Sequence, residues 1–191
     1  MPSTQRGQQR REQILHAAAD LVAVRGFHAV GVADIGAAAG VTGAALYRHF
    51  GNKTDVLVAL FDRVIDELLD GAHRAIAAGA PPGDTLATLV AAHVEFALRD
   101  RSVLAVYSQE AHNLVADDRR RLRRKQRQYV EVWRRQLQAL GPSLPEATAL
   151  IRVEAVFGLL NSVPNLSRSV PDHRLRDELC RMALAALTPP E

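Results

Sequence analysis

Four side chains between residues 47 and 53 can bind an anion: Tyr47, Arg48, His49 and Lys53. A phenol and an imidazole donate hydrogen bonds to phosphate oxygens, and a lysine at a helix N-terminus joins the backbone amides there in binding an anion. The paired donors of an arginine fit N7 and O6 of guanine, and they fit a phosphate nearly as well. The residue types therefore predict contact with DNA, the alternative being that Tyr47 and His49 only pack the domain.

Two short helices and a tight turn are predicted to position this cluster. The first helix covers about residues 32–39, Gly40 supplies the turn, and Thr42 caps a second helix that runs from Gly43 to about residue 50. Such a helix-turn-helix places its second helix in a DNA groove. Apolar residues are expected to face the core or fill the space between the helices: Ile35, Ala38, Ala39, Val41, Leu46 and Phe50.

The second helix begins with the small residues Gly43, Ala44 and Ala45. Because these side chains cannot donate hydrogen bonds to base edges, we expect sequence preference to depend on Arg48, on methyl contacts from Ala44 or Ala45 to thymine, and on DNA shape. Thr42 is expected to contact the DNA backbone as well as to cap the helix.

An arginine-rich arm precedes these helices and carries Arg6, Arg10 and Arg11. In one interpretation these arginines contact the minor groove or phosphates. In the other, the arm is a solvated tail.

The composition predicts an all-α fold of about nine helices. The chain has 191 residues, of which 48% are hydrophobic and 24% charged, and this excludes wholesale disorder. A helix over about residues 9–25 comes before the helix-turn-helix, and a long helix beginning near Lys53 leads away from it. The predicted domains are therefore a DNA-binding head at residues 1–54 and a body at residues 55–191, with a capping box at Ser143–Glu146 starting the eighth helix.

The net charge and the cysteine content limit which partners and which cellular compartment are expected. A net charge of +3 only weakly favours an acidic partner. Cys180 is the only cysteine, which excludes an intrachain disulfide and fits a reducing cytoplasm. The N-terminus has no apolar signal core, and no run approaches the ~20 apolar residues of a membrane span. We expect a cytoplasmic protein that does not contact a membrane.

The segment from Ile35 to Lys53 resembles the N-terminal signature of the TetR family of bacterial repressors. That family typically shows Ile-Ala, then Ala-Gly-Val-Ser/Thr at the turn, Leu-Tyr-x-His-Phe, and a lysine a few residues on. The matching residues here are Ile35-Gly36, Ala39-Gly40-Val41-Thr42, Leu46-Tyr47-Arg48-His49-Phe50 and Lys53, within a close match over about residues 9–60.

The resemblance implies that Tyr47, His49 and Lys53 contact phosphates. The chain departs from the family at residues 43–45, where many relatives have polar side chains or a proline. It departs also at Ala33, where some relatives have a base-reading arginine, and at Gly31, which replaces a frequent Ser/Thr cap.

The resemblance also implies a homodimer that pairs through its last two helices, with two DNA-binding heads. Each body is expected to hold a cavity for a small molecule that releases the protein from its operator. No cofactor is expected. The residues predicted to form the dimer interface are Ala155, Val156, Leu159, Leu160, Leu179, Met182, Ala183 and Leu187.

Polar and aromatic residues in apolar stretches are the candidates for contacts with this effector. They are His93, Phe96, Tyr107, Glu110, Trp133, Arg152 and Phe157, each of which is alternatively a packed core or surface residue. A metal site is not expected, because Glu110 and His112 point ~200° apart on a helix. The basic run from Arg119 to Arg127 is interpreted as a solvated face partly neutralised by Asp117, Asp118 and Glu131, or as a site for an anionic group of the effector, such as a coenzyme A phosphate.

Two other classes of function are compatible with an all-α chain of this size. No catalytic residues are expected, since the chain has no Gly-rich phosphate loop, nucleophile elbow or His-Glu-x-x-His motif. The other alternative is an all-α small-molecule-binding or scaffold protein with weak or lost DNA specificity, which the alanine-rich start of the second helix makes plausible.

Overall fold

The computed structural model describes residues 2–167 and 169–188, with the side chains of residues 2–6 and 113 outside the described set. Within this part of the chain the fold is all-α, as predicted, with nine α-helices and two short 3-10 turns at Ala111–Asn113 and Val163–Asn165. The helices are α1 Pro2–Arg25, α2 Val32–Ala38, α3 Gly43–Tyr47, α4 Lys53–Ala77, α5 Pro82–Arg99, α6 Arg101–Glu110, α7 Ala116–Leu140, α8 Glu146–Leu160 and α9 Asp172–Leu187.

The helices form a head and a body that share α4. In the head, α1 packs against α2 and α4, and α2 packs against α3. In the body, α7 packs against α4, α5 and α8, and α9 packs against α5 and α8. The two parts meet where α1 lies against α6. The core of the head is built by apolar residues with little or no exposed surface, among them Ile14, Leu15, Ala18, Val22, Ile35, Leu46 and Phe50.

Three boundaries differ from the sequence-based expectation. α1 begins at Pro2 instead of near residue 9, so the segment predicted as an N-terminal arm belongs to the helix that carries Arg10 and Arg11. α3 ends at Tyr47, because the amides of His49 and Phe50 both donate to the carbonyl of Leu46 in a closing turn. The capping box predicted at Ser143–Glu146 does not form, since Pro145 precedes α8 and no side chain caps it.

One prediction of buried residues was also wrong. Ala38 is exposed, and Gly36 takes its place beside Ile35 on the buried face of α2. The reason is the close approach of the turn to the helix: a Cβ on Gly36 would lie 3.0 Å from the carbonyl oxygen of Val41.

The eighth helix is the most apolar segment of the described chain. Residues Glu146–Asn165 have a mean hydropathy of 1.2, which is enough by length and composition alone to cross a membrane, although the sequence analysis expected no such run. Arg152 lies in the middle of this segment and donates to the carbonyl of Leu187 at 3.0 Å. One face of α8 packs against α7 and α9. The other face exposes Leu150 and Ile151.

Candidate nucleic-acid interface and effector cavity

Local hydrogen bonds set the helix-turn-helix in place. The carboxylate of Asp34 accepts from the amide of Gly31 at 2.7 Å, which fixes the start of α2 although Gly31 has no side chain for capping. Gly40 turns the chain with φ of 64°, a region that favours glycine. The Thr42 hydroxyl accepts from the amide of Ala45 at 3.2 Å and caps α3 as predicted.

α3 and the turn that follows it separate core residues from candidate DNA-contacting residues. Leu46 and Phe50 are buried, as predicted. Tyr47, Arg48 and His49 are exposed next to one another, with 57% of the tyrosine accessible. Leu46 and Phe50 fill the core. The exposed side chains of Tyr47, Arg48 and His49 are therefore free to contact a partner.

The first turn of α3 has little that can recognise a base. Thr42 and Ala44 are exposed, and Gly43 and Ala45 are half-buried. The Thr42 hydroxyl retains a proton to donate while its oxygen caps the helix. The remaining surface in this turn consists of backbone and methyl groups.

The ammonium group of Lys53 lies against the connection between α1 and α2. Its Nζ donates to the carbonyls of Phe27 at 2.7 Å, Val30 at 2.9 Å and His28 at 3.5 Å, and it lies 4.3 Å from the centroid of the Phe27 ring. An ammonium has three protons to donate, and all three have acceptors within the protein. The phosphate contact of Lys53 stays a prediction, and the structure adds a role in holding this connection.

The arginines of α1 differ in their surroundings. The guanidinium of Arg11 stacks on Phe50, with its Cζ 5.4 Å from the ring centroid, and so lies beside the end of the helix-turn-helix. Arg10 is exposed and donates to Gln13 at 3.4 Å. The side chain of Arg6 lies outside the described residues. DNA contact by Arg10 or Arg11 stays a prediction.

The body contains a cavity of about 260 Å³ between α4, α5, α6, α7 and α8. Four of the seven predicted effector residues line it: His93, Phe96, Tyr107 and Phe157. Most of the other lining residues are apolar. Gln126, Tyr129 and Asn161 are polar lining residues that were not predicted from the sequence. Tyr129 could have been found from its place on the apolar face of α7, whereas Asn161 follows the end of α8 and carries no such signal.

His93 organises the polar side of the cavity. Its Nε2 lies 3.1 Å from Asn161 Oδ1, which can only accept, and its Nδ1 lies 3.3 Å from the hydroxyl of Tyr129. The imidazole therefore carries its proton on Nε2, and the tyrosine donates to Nδ1. Burial lowers the pKa of His93 to about 4, against the opposing effect of the hydrogen bond to Asn161. The ring is neutral at physiological pH, and burial also raises the pKa of the Tyr129 phenol.

The other three predicted effector residues lie elsewhere. Trp133 is fully buried behind the cavity wall, with its ring centroid 4.9 Å from that of Phe157. Arg152 binds the C-terminal end of α9 through the carbonyl of Leu187. Glu110 is buried where the body meets the head, and its carboxylate accepts from the amide of Phe27 at 3.4 Å. The structure does not bring these three into the lining of the cavity.

The side chains of the basic run at the start of α7 lie in two different environments. Arg121 and Lys125 face α4, and both bind Asp62 of that helix. Arg121 also binds Asp118 of α7 itself, and Lys125 also binds Asp66 of α4. Burial opposes ionisation of Asp62, but hydrogen bonds from Arg121 and Lys125 outweigh it and lower its pKa. Glu131 does not neutralise the run as expected, because it binds Arg134 and Arg135. Within the run, Arg123, Arg124 and Arg127 are exposed.

A short N-terminal helix-turn-helix on a larger helical body is the architecture of a class of bacterial regulatory proteins. Comparison with known families identifies the family within this class. Residues 14–60 match the family described as "Bacterial regulatory proteins, tetR family". Residues 79–165 match the "Tetracyclin repressor-like, C-terminal domain". The chain belongs to the TetR family of transcriptional regulators, whose members bind operator DNA and small-molecule effectors, typically as dimers.

Individual relatives agree with this assignment. The HTH-type transcriptional repressor KstR2 of Rhodococcus jostii is 34% identical over 110 residues, which are 58% of this chain and 54% of the relative. The HTH-type transcriptional activator FasR of Mycolicibacterium smegmatis is 34% identical over 92 residues, which are 48% of this chain and 42% of the relative. The matched part of the chain thus spans about half the length of these relatives.

Among solved structures, the ketosteroid transcriptional regulator KstR2 of Mycobacterium tuberculosis superposes with a TM-score of 0.78 at 22% identity, over 95% of this chain and 96% of the other. This likeness extends the shared fold over the body as well as the head.

Proposed function

We propose that this chain is a ligand-responsive transcriptional repressor that binds a pseudopalindromic operator as a dimer in the cytoplasm. A hydrophobic or amphipathic small molecule in the body cavity releases it from DNA. The observation that carries this proposal is the coexistence, in one chain, of exposed Tyr47, Arg48 and His49 on a capped helix-turn-helix and of a cavity in the body.

α4 gives the cavity a route to the head. Phe61, Val64, Ile65 and Leu68 of α4 line the cavity, and the same helix begins at Lys53 beside the helix-turn-helix. A ligand that displaces α4 therefore moves the head relative to the body. Because both heads of a dimer must fit successive major grooves, a small change in their separation lowers the affinity for the operator.

The cavity favours a ligand with a compact apolar part. Its volume of about 260 Å³ lies just below the usual range for small-molecule sites, ~300–1,000 Å³. The apolar lining of the cavity supports a hydrophobic or acyl-type group as the ligand.

The exposed faces of α8 and α9 support the proposed dimer. Leu150, Ile151 and Met182 are exposed apolar residues on these helices. Of the interface residues proposed from the sequence, Ala155 and Met182 are exposed and Leu159 is half-buried. The remaining five face the protomer's own core and are not available to a partner: Val156, Leu160, Leu179, Ala183 and Leu187. We therefore assign the interface to the outer faces of the two helices.

An electrophoretic mobility shift on DNA flanking the protein's own coding region tests the regulator. We expect a salt-sensitive shift that specific DNA competes for far better than random DNA. The alternative, a small-molecule-binding or scaffold protein that has lost DNA specificity, is favoured by the small residues at the start of α3. It predicts equal competition by both DNAs, and that result would overturn the proposal.

Two substitutions at the C-terminal end of α3 separate phosphate contact from base recognition. Arg48→Ala is expected to relax discrimination at one base pair by ~1–3 kcal/mol. Tyr47→Phe is expected to weaken the binding of all DNA sequences by the same factor, because the variant loses only a hydrogen bond to a phosphate. Affinities for a set of singly substituted operators measure both effects. Equal losses on all operators for the two variants would contradict a base contact by Arg48.

A further inference from the structure

A surface cleft of about 300 Å³ lies between α6 and the start of α7, directly beside the cavity. Its lining consists of Tyr107, Ser108, Ala111, His112, Arg119 and Arg123. Tyr107 also lines the cavity, so the two spaces share this residue. Gln126 of the cavity wall donates to the Tyr107 hydroxyl at 2.6 Å. The residue common to the two spaces is thus hydrogen-bonded to the wall of the cavity.

The cleft is positively charged because its arginines are not neutralised. Arg119 and Arg123 are one turn apart on α7, the same spacing as Arg121 and Lys125. The latter pair is bound by carboxylates of α4, whereas no carboxylate lines the cleft. Among the described residues, Arg119 is hydrogen-bonded to the carbonyl of His112 alone, at 3.2 Å, and Arg123 has no carboxylate partner.

We propose that this cleft binds the anionic head group of an amphipathic effector whose apolar part occupies the cavity. The inference rests on the proposed function in taking the cavity as the effector site, and it names the chemical class of the effector. The head group is a carboxylate or a phosphate, as in a free fatty acid or an acyl coenzyme A thioester.

The chemistry of the two spaces requires this division. An ionised group is costly to bury without a charged partner, and the cavity holds a neutral histidine and no cation among its lining residues. Guanidinium groups bind carboxylates and phosphates through paired hydrogen bonds. An apolar chain passing between Tyr107 and Gln126 reaches Arg119 and Arg123 as soon as it leaves the interior. The side chains of Tyr107 and Gln126 must separate to admit it, and their hydroxyl and amide can then bind the ligand at the boundary.

The chain carries its own optical probe for the test. Trp133 is the only tryptophan, and it packs behind the cavity wall against Phe157. Its fluorescence reports occupation of the cavity without any DNA. We would titrate the full chain with the fatty acids from butanoate to dodecanoate, with their coenzyme A thioesters and with the matching primary alcohols, and confirm each affinity by calorimetry.

A matched pair of double variants tests the arginines. In Arg119→Gln/Arg123→Gln the cleft loses both cations. The control, Arg120→Gln/Arg124→Gln, removes the same charge at the same spacing from exposed positions of α7 outside the cleft lining. We expect the cleft variant to bind the anionic probe at least about tenfold more weakly, the loss expected for one or two charge-assisted hydrogen bonds. Its affinity for the alcohol, and the control's affinity for both probes, should not change.

The outcomes separate the sources of the head group. Binding of fatty acids that depends on the cleft arginines assigns a carboxylate, and such binding of thioesters alone assigns a phosphate; both support the proposal. Equal affinities for acid, thioester and alcohol would overturn it. So would equal losses in the cleft and control variants, or no binding of any anionic probe at about 1 mM. Because no DNA is present, failure of the regulator proposal would leave these affinities unaffected.

Discussion

At the scale of single residues, Lys53 is placed where two roles compete for one ammonium group. Its three carbonyl acceptors belong to residues 27–30, the connection between α1 and α2. The carbonyl of Phe27 also accepts from the amide of Val30 at 3.3 Å, and a cation near carbonyl groups that follow the end of a helix adds to their stabilisation. Lys53 therefore stabilises the head before any DNA arrives, and a phosphate must share or displace these bonds.

Replacing Lys53 by Ala is expected to lower the free energy of unfolding by ~1–3 kcal/mol, since buried carbonyls lose a charged donor. Urea denaturation followed by circular dichroism measures this. If Lys53 also contacts a phosphate, the slope of log affinity for DNA against log salt falls by about one. An unchanged slope, measured where both proteins are folded, would assign the lysine to the connection alone. Lys125→Ala removes the only other lysine, in the body, and should leave the slope unchanged.

His93 shows how burial fixes a protonation state. The ring packs against both Tyr129 and Phe157, with centroids 5.8 and 5.3 Å away, and these two rings also stack on each other at 5.4 Å. Its nitrogens are bound to Tyr129 and Asn161, so the neutral ring has a partner for each of them. Burial of the ring disfavours the charged form and so keeps the ring neutral.

The stability of the fold should consequently depend on pH through His93. The unfolded chain takes up a proton near the ordinary pKa of 6.5, whereas the folded chain does so only near 4. The full contribution is present above pH 6.5 and is lost as the pH falls toward 4, by about 3 kcal/mol. Urea denaturation at several pH values measures this loss. His93→Gln should lack it, and His73→Gln, which changes an exposed histidine of α4, should retain it. Equal pH profiles for the two variants would contradict the assignment.

At the scale of helices, α1 joins the head to the body through a row of polar residues. Glu12, His16 and Asp20 are spaced by four and share one face. Glu12 binds Arg63 at 3.1 Å, and Asp20 accepts from the Ser102 hydroxyl at 2.6 Å. Between them, His16 lies 3.6 Å from the buried carboxylate of Asp100. This row places α1 against the start of α6.

Asp100 is the buried centre of this contact, and Asp100→Asn should destabilise the protein by about 2 kcal/mol. The carboxylate accepts from Arg99 at 2.7 Å and lies 3.7 Å from the mostly buried guanidinium of Arg63. An amide leaves that guanidinium with less compensating charge. Thermal unfolding and urea denaturation measure the loss. Asp70→Asn, at an exposed position of α4, should be nearly neutral, and equal losses in both variants would contradict this role of Asp100.

The sequence predicted those parts of the fold that depend on local patterns. The turn at Gly40, the Thr42 cap and the burial of Leu46 and Phe50 follow from residue type and helical spacing. The partners of Lys53 and Glu110 could not be predicted, because they depend on how distant segments pack. The cavity was predicted in part: His93 and Phe157 line it, whereas Trp133, on the same apolar pattern, lies one layer behind.

At the scale of the whole molecule, the outer faces of α8 and α9 leave apolar surface in water. Ile151 is 65% exposed and Met182 is 41% exposed, although both lie on helices that otherwise pack against the core. Exposed apolar surface on neighbouring helices is typical of interaction sites. A second copy of the chain would cover it and give the two heads that an operator with two half-sites requires.

Ile151→Glu is expected to shift the protein from dimer to monomer, because each copy would bury an unpaired charge in the interface. Analytical ultracentrifugation at micromolar concentration measures the shift, and operator affinity should fall with it. Val24→Glu places the same charge on an exposed position of α1 and serves as the control. A wild-type protein that sediments as a monomer would overturn the proposed dimer.

The row on α1 has a consequence for exchanging heads between members of this family. A boundary drawn at residue 54 passes through α4 and separates Glu12, His16 and Asp20 from Arg63, Asp100 and Ser102. It also separates Phe27 from Glu110. A chimera made at that boundary brings a foreign α1 against these body residues, and its head should dock in a different orientation. Heads are interchangeable only together with the face of α6 that receives them.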